Sequence, residues 1–313
     1  MKMDKILLTM GMPVYNEGKY IGETIESLLA QTYKNFILII SDNASIDQTP
    51  QICKHYAKKD KRIIYVRHKK NRGAQFNFCY VLEQAKTPFF MLCSGHDKWH
   101  PSFVEKLLPA LEKEDIILSY PRTRRINIDG TMGEIYEDDY TTVNINNPID
   151  RYLYLLRGIG KGNLMYGIWS TQALKNCNFD LKTFAPDHII LVQAAFEGKF
   201  KQHNEPLFFL RERRKDIGYR HRIREAFARL TGQSTEKMSV FLLIISFISE
   251  NTKVLFRKRY SFSAVTKLWL IINIVYLCLL WFCAIPVLIV IFKKLLPEKT
   301  YFKIKSIWNR RKH

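Results

Sequence analysis

Short polar strings that follow directly on apolar, strand-like runs constrain this chain more than anything else in it. Lys5 to Met10 leads into Pro13-Val14-Tyr15-Asn16-Glu17-Gly18, and Phe36 to Ile40 leads into Ser41-Asp42-Asn43-Ala44-Ser45. In an open parallel sheet the carboxyl ends of neighbouring strands converge on one crevice, so polar loops there are aimed at a ligand rather than at bulk water. Further strand-like runs fall at Ile63 to Arg67, Phe89 to Cys93 and Ile116 to Tyr120. Between the first two runs, Ile21, Ile25, Leu28 and Leu29 share one helical face. Helices are also predicted from Asp47 through Lys58 and around Phe103, Leu107, Leu108 and Leu111. Alternating β and α units predict a parallel sheet covered by helices on both faces. A nucleotide is the leading ligand for such an edge.

Each loop carries its own chemistry. A carboxylate such as Asp42, at the end of the second strand, can accept hydrogen bonds from ribose hydroxyls or a base imide. The same string also reads as a turn in which Asp and Asn bond their own backbone. No GxGxxG follows the first strand, which disfavours a Rossmann dehydrogenase. In the third loop, Asn71-Arg72-Gly73-Ala74-Gln75-Phe76-Asn77, Arg72 can pair with a diphosphate and Gly73 lets backbone approach it at a helix start. The fourth loop, Cys93-Ser94-Gly95-His96-Asp97-Lys98-Trp99-His100-Pro101, sets a carboxylate among imidazoles. His96 and Asp97 suit a divalent metal, Mn²⁺ accepting mixed oxygen and imidazole ligands where Mg²⁺ prefers oxygen. His100 before Pro101 reads as helix entry.

The formal charge of +20 over 313 residues is unevenly spread. Residues 251 to 313 hold thirteen Lys or Arg against one acidic residue, Glu298. That excess flanks a membrane-like segment, so anionic lipid is a better partner than nucleic acid, which is set aside. Leu268 to Phe292 runs for 25 residues without Asp, Glu, Lys, Arg or His, about 37 Å as a helix against a hydrocarbon core of about 30 Å. Basic residues on both flanks do not choose a topology, and a helix broken at Pro286 that re-enters one leaflet is the alternative to a span. The basic stretch Arg211 to Arg229 and the apolar run Met238 to Ile248, too short to cross, read equally as surface-bound helices or as a cap on the globular domain. Strand-like sequence already at Lys5 predicts no signal peptide. Cys53, Cys79, Cys93, Cys177, Cys278 and Cys283 form no CxxC pair, which fits a reducing compartment. The predicted organisation is a globular unit at 1–215, a basic helical region at 216–267, the hydrophobic segment at 268–292 and a basic tail at 293–313.

Taken in order, the loops resemble those of inverting family 2 glycosyltransferases with the GT-A fold, over roughly Lys5 to Arg211. Pro13 to Glu17 resembles the opening motif, Ser41 to Thr49 the Asp-rich second loop, and Asn71-Arg72-Gly73 with Asn77 the third. Gly162-Asn163 and Tyr166-Gly167-Ile168-Trp169 are similar to the strand lining the acceptor side, Asn178-Phe179-Asp180 to the segment leading into the catalytic region, and Pro206-Leu207 with Arg211 to the closing strand. The resemblance implies an α/β GT-A domain with a C-terminal helical membrane segment, a nucleotide-diphosphate sugar as donor and a glycan or lipid-linked acceptor. It implies donor-site roles for Pro13, Tyr15, Glu17, Asp42, Arg72, Gly73, Asn77, Gly95 and Arg211, with Asp42 on the base. Asp187, in Ala185-Pro186-Asp187-His188, falls on the catalytic base, although Asp there also suits a helix N-cap.

The fourth loop departs from the pattern, placing Ser94 and His96 where the family commonly has two acidic residues. A divalent cation, Mn²⁺ or Mg²⁺, would then rest on His96 and Asp97. The same departure leaves open a catalytically degenerate protein that binds a sugar nucleotide or glycan. A nucleotidyltransferase is disfavoured because Pro13 to Glu17 is not a glycine-rich basic loop. The expected location is the membrane, with the catalytic domain on the cytoplasmic face.

Overall fold

The computed structural model describes residues 7–113, 115–159, 162–178, 186–212, 240–257 and 259–279. Most of the basic stretch to Arg229, residues 280–292 of the hydrophobic segment and the basic tail lie outside the described residues.

Four parallel strands make the first half of the sheet. Strand β1 (Leu8–Val14) lies between β2 (Phe36–Asp42) and β4 (Phe89–Leu92), and β3 (Ile63–Arg67) pairs with the far side of β2. Leu8, Met10, Met12 and Val14 alternate onto one face, where they meet Ile21, Ile25 and Leu28 of α1 (Ile21–Leu29) and Cys53 of α2 (Thr49–Lys59). Ile39 belongs to the opposite core, with Val81 and Leu82 of α3 (Ala74–Gln84). The register sets Val14 opposite Asp42 and Asp42 opposite Arg67, so three loops leave the sheet at one level. β4 stops opposite Gly11, and its loop is drawn along β1 by the Cys93 N–H donating to the Gly11 carbonyl at 2.8 Å.

Beyond β4 the sheet is mixed, unlike the parallel sheet expected from the sequence. Among the described residues, nine strands are hydrogen-bonded into it. Strand β8 (Ile168–Ser170) runs antiparallel between β4 and β6 (Ile116–Ile126), and β9 (Lys199–Arg211) runs parallel to β6. β5 (Lys98–Trp99) pairs antiparallel with β9, and β7 (Met132–Ile135) with β6. The chain reaches β8 by way of a helix at Pro148–Gly158 and a 3₁₀ turn at Gly162–Tyr166. The helix predicted around Phe103 to Leu111 forms in two pieces, α4 (Phe103–Leu107) and a 3₁₀ turn at Leu108–Glu112. Pro109 has no N–H for the α-helical bond at that point.

The core that contains α3 is completed by α5 (Pro148–Gly158), α6 (Thr171–Asn176) and α7 (Pro186–Ala194). α8 (Val240–Lys253) packs on α7, and α9 (Ala264–Leu279) packs on α8 and α5. Leu270 and Ile274 of α9 are buried in the body, whereas Val265, Leu268, Trp269, Ile272 and Tyr276 form an exposed stripe on its opposite side. The predicted hydrophobic segment is thus described only through Leu279, and its described part is held to the globular body along one face. Among the described residues no helix is long and apolar enough to cross a membrane.

Gly167 allows β8 to lie against β6. An added Cβ would sit 2.6 Å from the Ser119 carbonyl and 2.8 Å from the Tyr120 Cβ. Overpacking of this kind costs about 1–3 kcal/mol. Gly167→Ala is therefore expected to lower stability in urea by that amount with an unchanged slope, and an unchanged midpoint would show that the strands have room to part.

Candidate active site

Hydrogen bonds tie the first two loops together. Asn16 and Ala44 both have left-handed backbone, with φ of 54° and 63°, a conformation costing non-glycine residues about 1–2 kcal/mol. Asn16 N–H donates to Ser45 Oγ at 2.9 Å, and Asn16 Oδ1 accepts from Ile46 N–H at 3.0 Å. Glu17 N–H donates to Thr49 Oγ1 at 2.8 Å and Gly18 N–H to Asp47 Oδ2 at 2.9 Å. Asn43 then reaches the third loop: its side-chain amide donates to Asn71 Oδ1 and to the Gly73 carbonyl, and its Oδ1 accepts from Arg72 N–H. Gly73, at φ +88°, caps α3 in a conformation open to glycine.

Within this frame the candidate residues divide into inward and outward groups. Asp42 is fully buried; its Oδ1 accepts from Ser45 N–H at 2.8 Å and its Oδ2 from Tyr65 Oη at 2.7 Å, with Arg67 Nε 3.5 Å away. Burial, with the adjoining Asp42 carboxylate, keeps the Tyr65 phenol protonated. Asn77 is also inward and donates to the Ser41 and Val14 carbonyls at 2.8 and 3.3 Å. Pro13 is held in β1 opposite Ser41. Tyr15 and Arg72 face outward, Arg72 lying 3.5 Å above the Phe76 ring.

The fourth loop closes against both ends of the sheet. Gly95 packs on Glu17, since a Cβ there would fall 2.6 Å from the Glu17 Cγ. His96 Nδ1 lies 3.2 Å from Glu17 Oε1. Asp97 is fully buried, its Oδ1 accepting from Arg211 N–H at 2.7 Å and its Oδ2 from the Ser94 hydroxyl. Burial pushes the Asp97 carboxyl above the usual carboxylate range. The Arg211 guanidinium donates to the His96 carbonyl at 2.9 Å and to Glu23 at 3.0 Å, and covers the Tyr20 ring. As arranged, these residues do not fit a divalent cation. Of the expected ligands Asp97 is turned into the protein, and among the described residues no group of three or more His, Cys, Asp and Glu is placed to hold a metal.

Asp187 comes to the same edge from the other half of the fold. It sits in the first turn of α7 against Gly162, whose added Cβ would lie 3.1 Å from its own. Its side chain reaches solvent, yet the protein packed around it removes enough water to push the carboxyl up to about 6. Tyr166, stacked on Phe208 with ring centroids 5.2 Å apart, stands among the acidic groups. Burial first, then Asp97, Asp187 and Glu17, hold its phenol well above the usual range. The edge thus gathers cations on the third loop, polar groups on the first two and a partly desolvated carboxylate facing them.

Residues 9–163 match Glycosyl transferase family 2. Over this stretch the chain is similar to that family. TuaG of Bacillus subtilis, named for teichuronic acid biosynthesis, is 32% identical over 127 residues, 41% of this chain and 50% of TuaG. Glycosyltransferase GlyG of Streptococcus pneumoniae is 29% identical over 134 residues, 42% of each chain. The chain spans half or less of the curated relatives it matches, 43%, 22% and 50% of three of them. Among solved structures, TarS of S. aureus in complex with UDP-GlcNAc superimposes with a TM-score of 0.57 at 17% identity, covering 83% of this chain and 69% of that one. Mannosyltransferase PcManGT of Pyrobaculum calidifontis, in complex with GDP-Man and Mn²⁺, gives 0.51 at 12% identity over 99% and 82%. At these identities the likeness is one of fold, GT-A.

Tyr166, Asp187 and Arg211 lie beyond the residues matched to family 2. Tyr65 and Asn43 hold these loops in place: Asn43 is legible in the sequence only as a turn residue of the second loop, and Tyr65, midway along β3, shows no sign there of the carboxylate it serves. Tyr65→Phe removes one donor to a buried carboxylate and keeps the ring. A hydrogen bond to a charged group contributes about 1.5–3 kcal/mol, so a loss of that size in denaturant melts is expected, and no loss would show that Arg67 takes the vacated position.

Proposed function

We propose that the protein transfers a sugar from a nucleotide-diphosphate donor to a glycan or lipid-linked acceptor, with inversion at the anomeric carbon. The observation that carries this reading is Asp187, a carboxyl raised to about 6 that shares one sheet edge with the family 2 loops. Such a group is ionised at neutral pH and still basic enough to take a proton. In the proposed step Asp187 accepts the proton of an acceptor hydroxyl, whose oxygen bonds the anomeric carbon as the bond to the diphosphate oxygen breaks. The electron pair leaves with the diphosphate. Lys69, Lys70 and Arg72, exposed around an open depression of about 610 Å³ with His68, supply positive charge for the leaving group. Asp42 fixes the loop that receives the base. A divalent cation on the diphosphate has no part in this step, because Asp97 is already engaged by Ser94 and Arg211. That engagement favours a second reading, a binding protein that keeps the nucleotide site and has lost transfer.

Asp187→Asn separates the two. The variant is expected to keep donor affinity in calorimetry and lose about 10²–10⁴-fold in kcat, the usual contribution of a general base. In the wild type, kcat/KM with a hydroxyl acceptor is expected to fall tenfold per pH unit below about 6 and to be level above. Full activity in Asp187→Asn would remove Asp187 as base. The sign for stability is opposite: a folded pKa raised above the unfolded one means that ionisation near pH 6 costs the native state. Asp187→Asn is thus expected to raise Tm at pH 8 and to give no gain near pH 3.

The proposal places the protein on the cytoplasmic side of a membrane, where sugar nucleotides are made. It is supported by the apolar stripe of α9, with Trp269 and Tyr276 suited to an interface, and by the basic excess of residues 251 to 313. The full chain is expected to float with phosphatidylglycerol vesicles more than with phosphatidylcholine, and Ile272→Glu to float less. Equal recovery in the pellet with both vesicles would sink the attachment.

A further inference from the structure

Next to Asp187 lies a small cavity of about 60 Å³. Its walls are Ala74 and Phe78 of α3, Leu92 at the end of β4, Met165 of the turn before β8 and Ile190 of α7, with Asp187 itself on the lining. Leu92, Met165 and Ile190 are each no more than 3% exposed, so these walls are set by the core. An apolar cavity of about 150 Å³ holds benzene and stays dry when empty. By that scale about 60 Å³ takes two or three heavy atoms of an apolar group.

We propose that this cavity seats the acetyl end, three heavy atoms, of the acetamido group of a 2-acetamido-2-deoxyhexose on the donor. The inference rests on the donor-site reading of the loops above and on Asp187 as base. A plain hexose offers only hydroxyls, which could bond Gln75 or Asp187 but bring no apolar group to the carbon walls. An acetamido group offers a methyl for those walls together with a planar amide, and Gln75, on the same lining, is a neutral side chain able to both donate to and accept from it. The methyl of a 6-deoxy sugar is one heavy atom and would leave much of the space empty. Met165 and Ile190 wall the cavity toward the acceptor side, and the other three walls toward the donor. Its α3 and β4 walls continue directly into the third and fourth loops, at Gly73 and Cys93, which carry the donor-side candidates Arg72, Gly95 and His96.

Binding measurements on the full chain test this. UDP, GDP and dTDP are first ranked by calorimetry; on the best of them, the glucose and N-acetylglucosamine conjugates are then compared. The acetamido member is expected to bind at least about tenfold tighter, within the range a small apolar subsite supplies. Ala74→Leu, at the exposed first position of α3, places a side chain in the cavity and is expected to bring the ratio near one, with a Tm melt as the control for folding. Equal affinities in the wild type would overturn the proposal, as would a ratio that survives in folded Ala74→Leu. Failure of all three nucleotides and both conjugates to bind the wild type would instead overturn the donor-site reading, and this inference with it.

Discussion

A buried carboxylate ties the loop after β4 to the end of β9, across a sheet that is continuous through β8 and β6. Asp97 follows β4, and Arg211 ends β9, which lies beyond β8 and β6 in strand order; the Asp97 carboxylate takes the Arg211 N–H and the Ser94 hydroxyl across that gap. The β5–β9 pairing of Lys98 with Phe209 and Trp99 with Phe208 extends the seam. Phe208 in turn carries the stacked Tyr166. Burial alone would favour a neutral Asp97, and the donated hydrogen bonds oppose that tendency. The consequence is chemical as well as structural: a carboxylate used to close the fold is not also free to hold an ion. The departure of Ser94 and His96 from the pattern expected by resemblance goes with the inward turn of Asp97, since Ser94 is the donor that keeps Asp97 inward.

The two sides of the edge are built to different rules. On the donor side, left-handed Asn16 and Ala44 persist because backbone and side-chain bonds between the loops over-determine them. Preorganised loops of this kind can meet a ligand with little ordering cost. On the opposite side Asp187 is the less comfortable group, a carboxylate whose ionisation the surrounding protein resists. Local discomfort at one group, with rigid support around it, is the division between stability and activity that the role proposed for Asp187 calls for.

What was legible in the sequence follows the same physics. β3 begins and ends at Ile63 and Arg67 as read, because a short apolar run bounded by polar residues has one way to be buried. β6 runs on past the predicted Tyr120 to Ile126, through Arg122, Arg124 and Arg125, since pairing with β7 and β9 rather than side-chain apolarity sustains it there. β8 was placed only through the resemblance of Tyr166-Gly167-Ile168-Trp169 to a family strand, and its antiparallel direction was not legible, for direction depends on the path of the whole connection from β7. Among site residues, positions at strand ends were legible and orientations were not. Asp42 and Asn77 stand where expected along the chain, yet their partners are Ser45, Tyr65 and strand carbonyls, contacts made through tertiary packing.

The C-terminal helices bear on chemistry through one clasp. Arg257, after α8, donates to the Asn176 carbonyl at 2.8 Å and to Gln193 of α7 at 3.2 Å, and Arg259 and Tyr260 both reach Glu197 just past that helix. Gln193 also accepts from Asn178 N–H at 3.1 Å. The helix that begins with Asp187 is therefore pinned at its far end by the segment that joins α8 to α9. Because Leu270 and Ile274 fix α9 on the body and its apolar stripe faces the other way, any surface bound by that stripe is held in a defined relation to α7. A lipid-linked acceptor sharing that surface would need no separate recognition to be brought near Asp187; the orientation of the whole domain supplies it, leaving the residues around Gly162 and Asp187 to choose the hydroxyl.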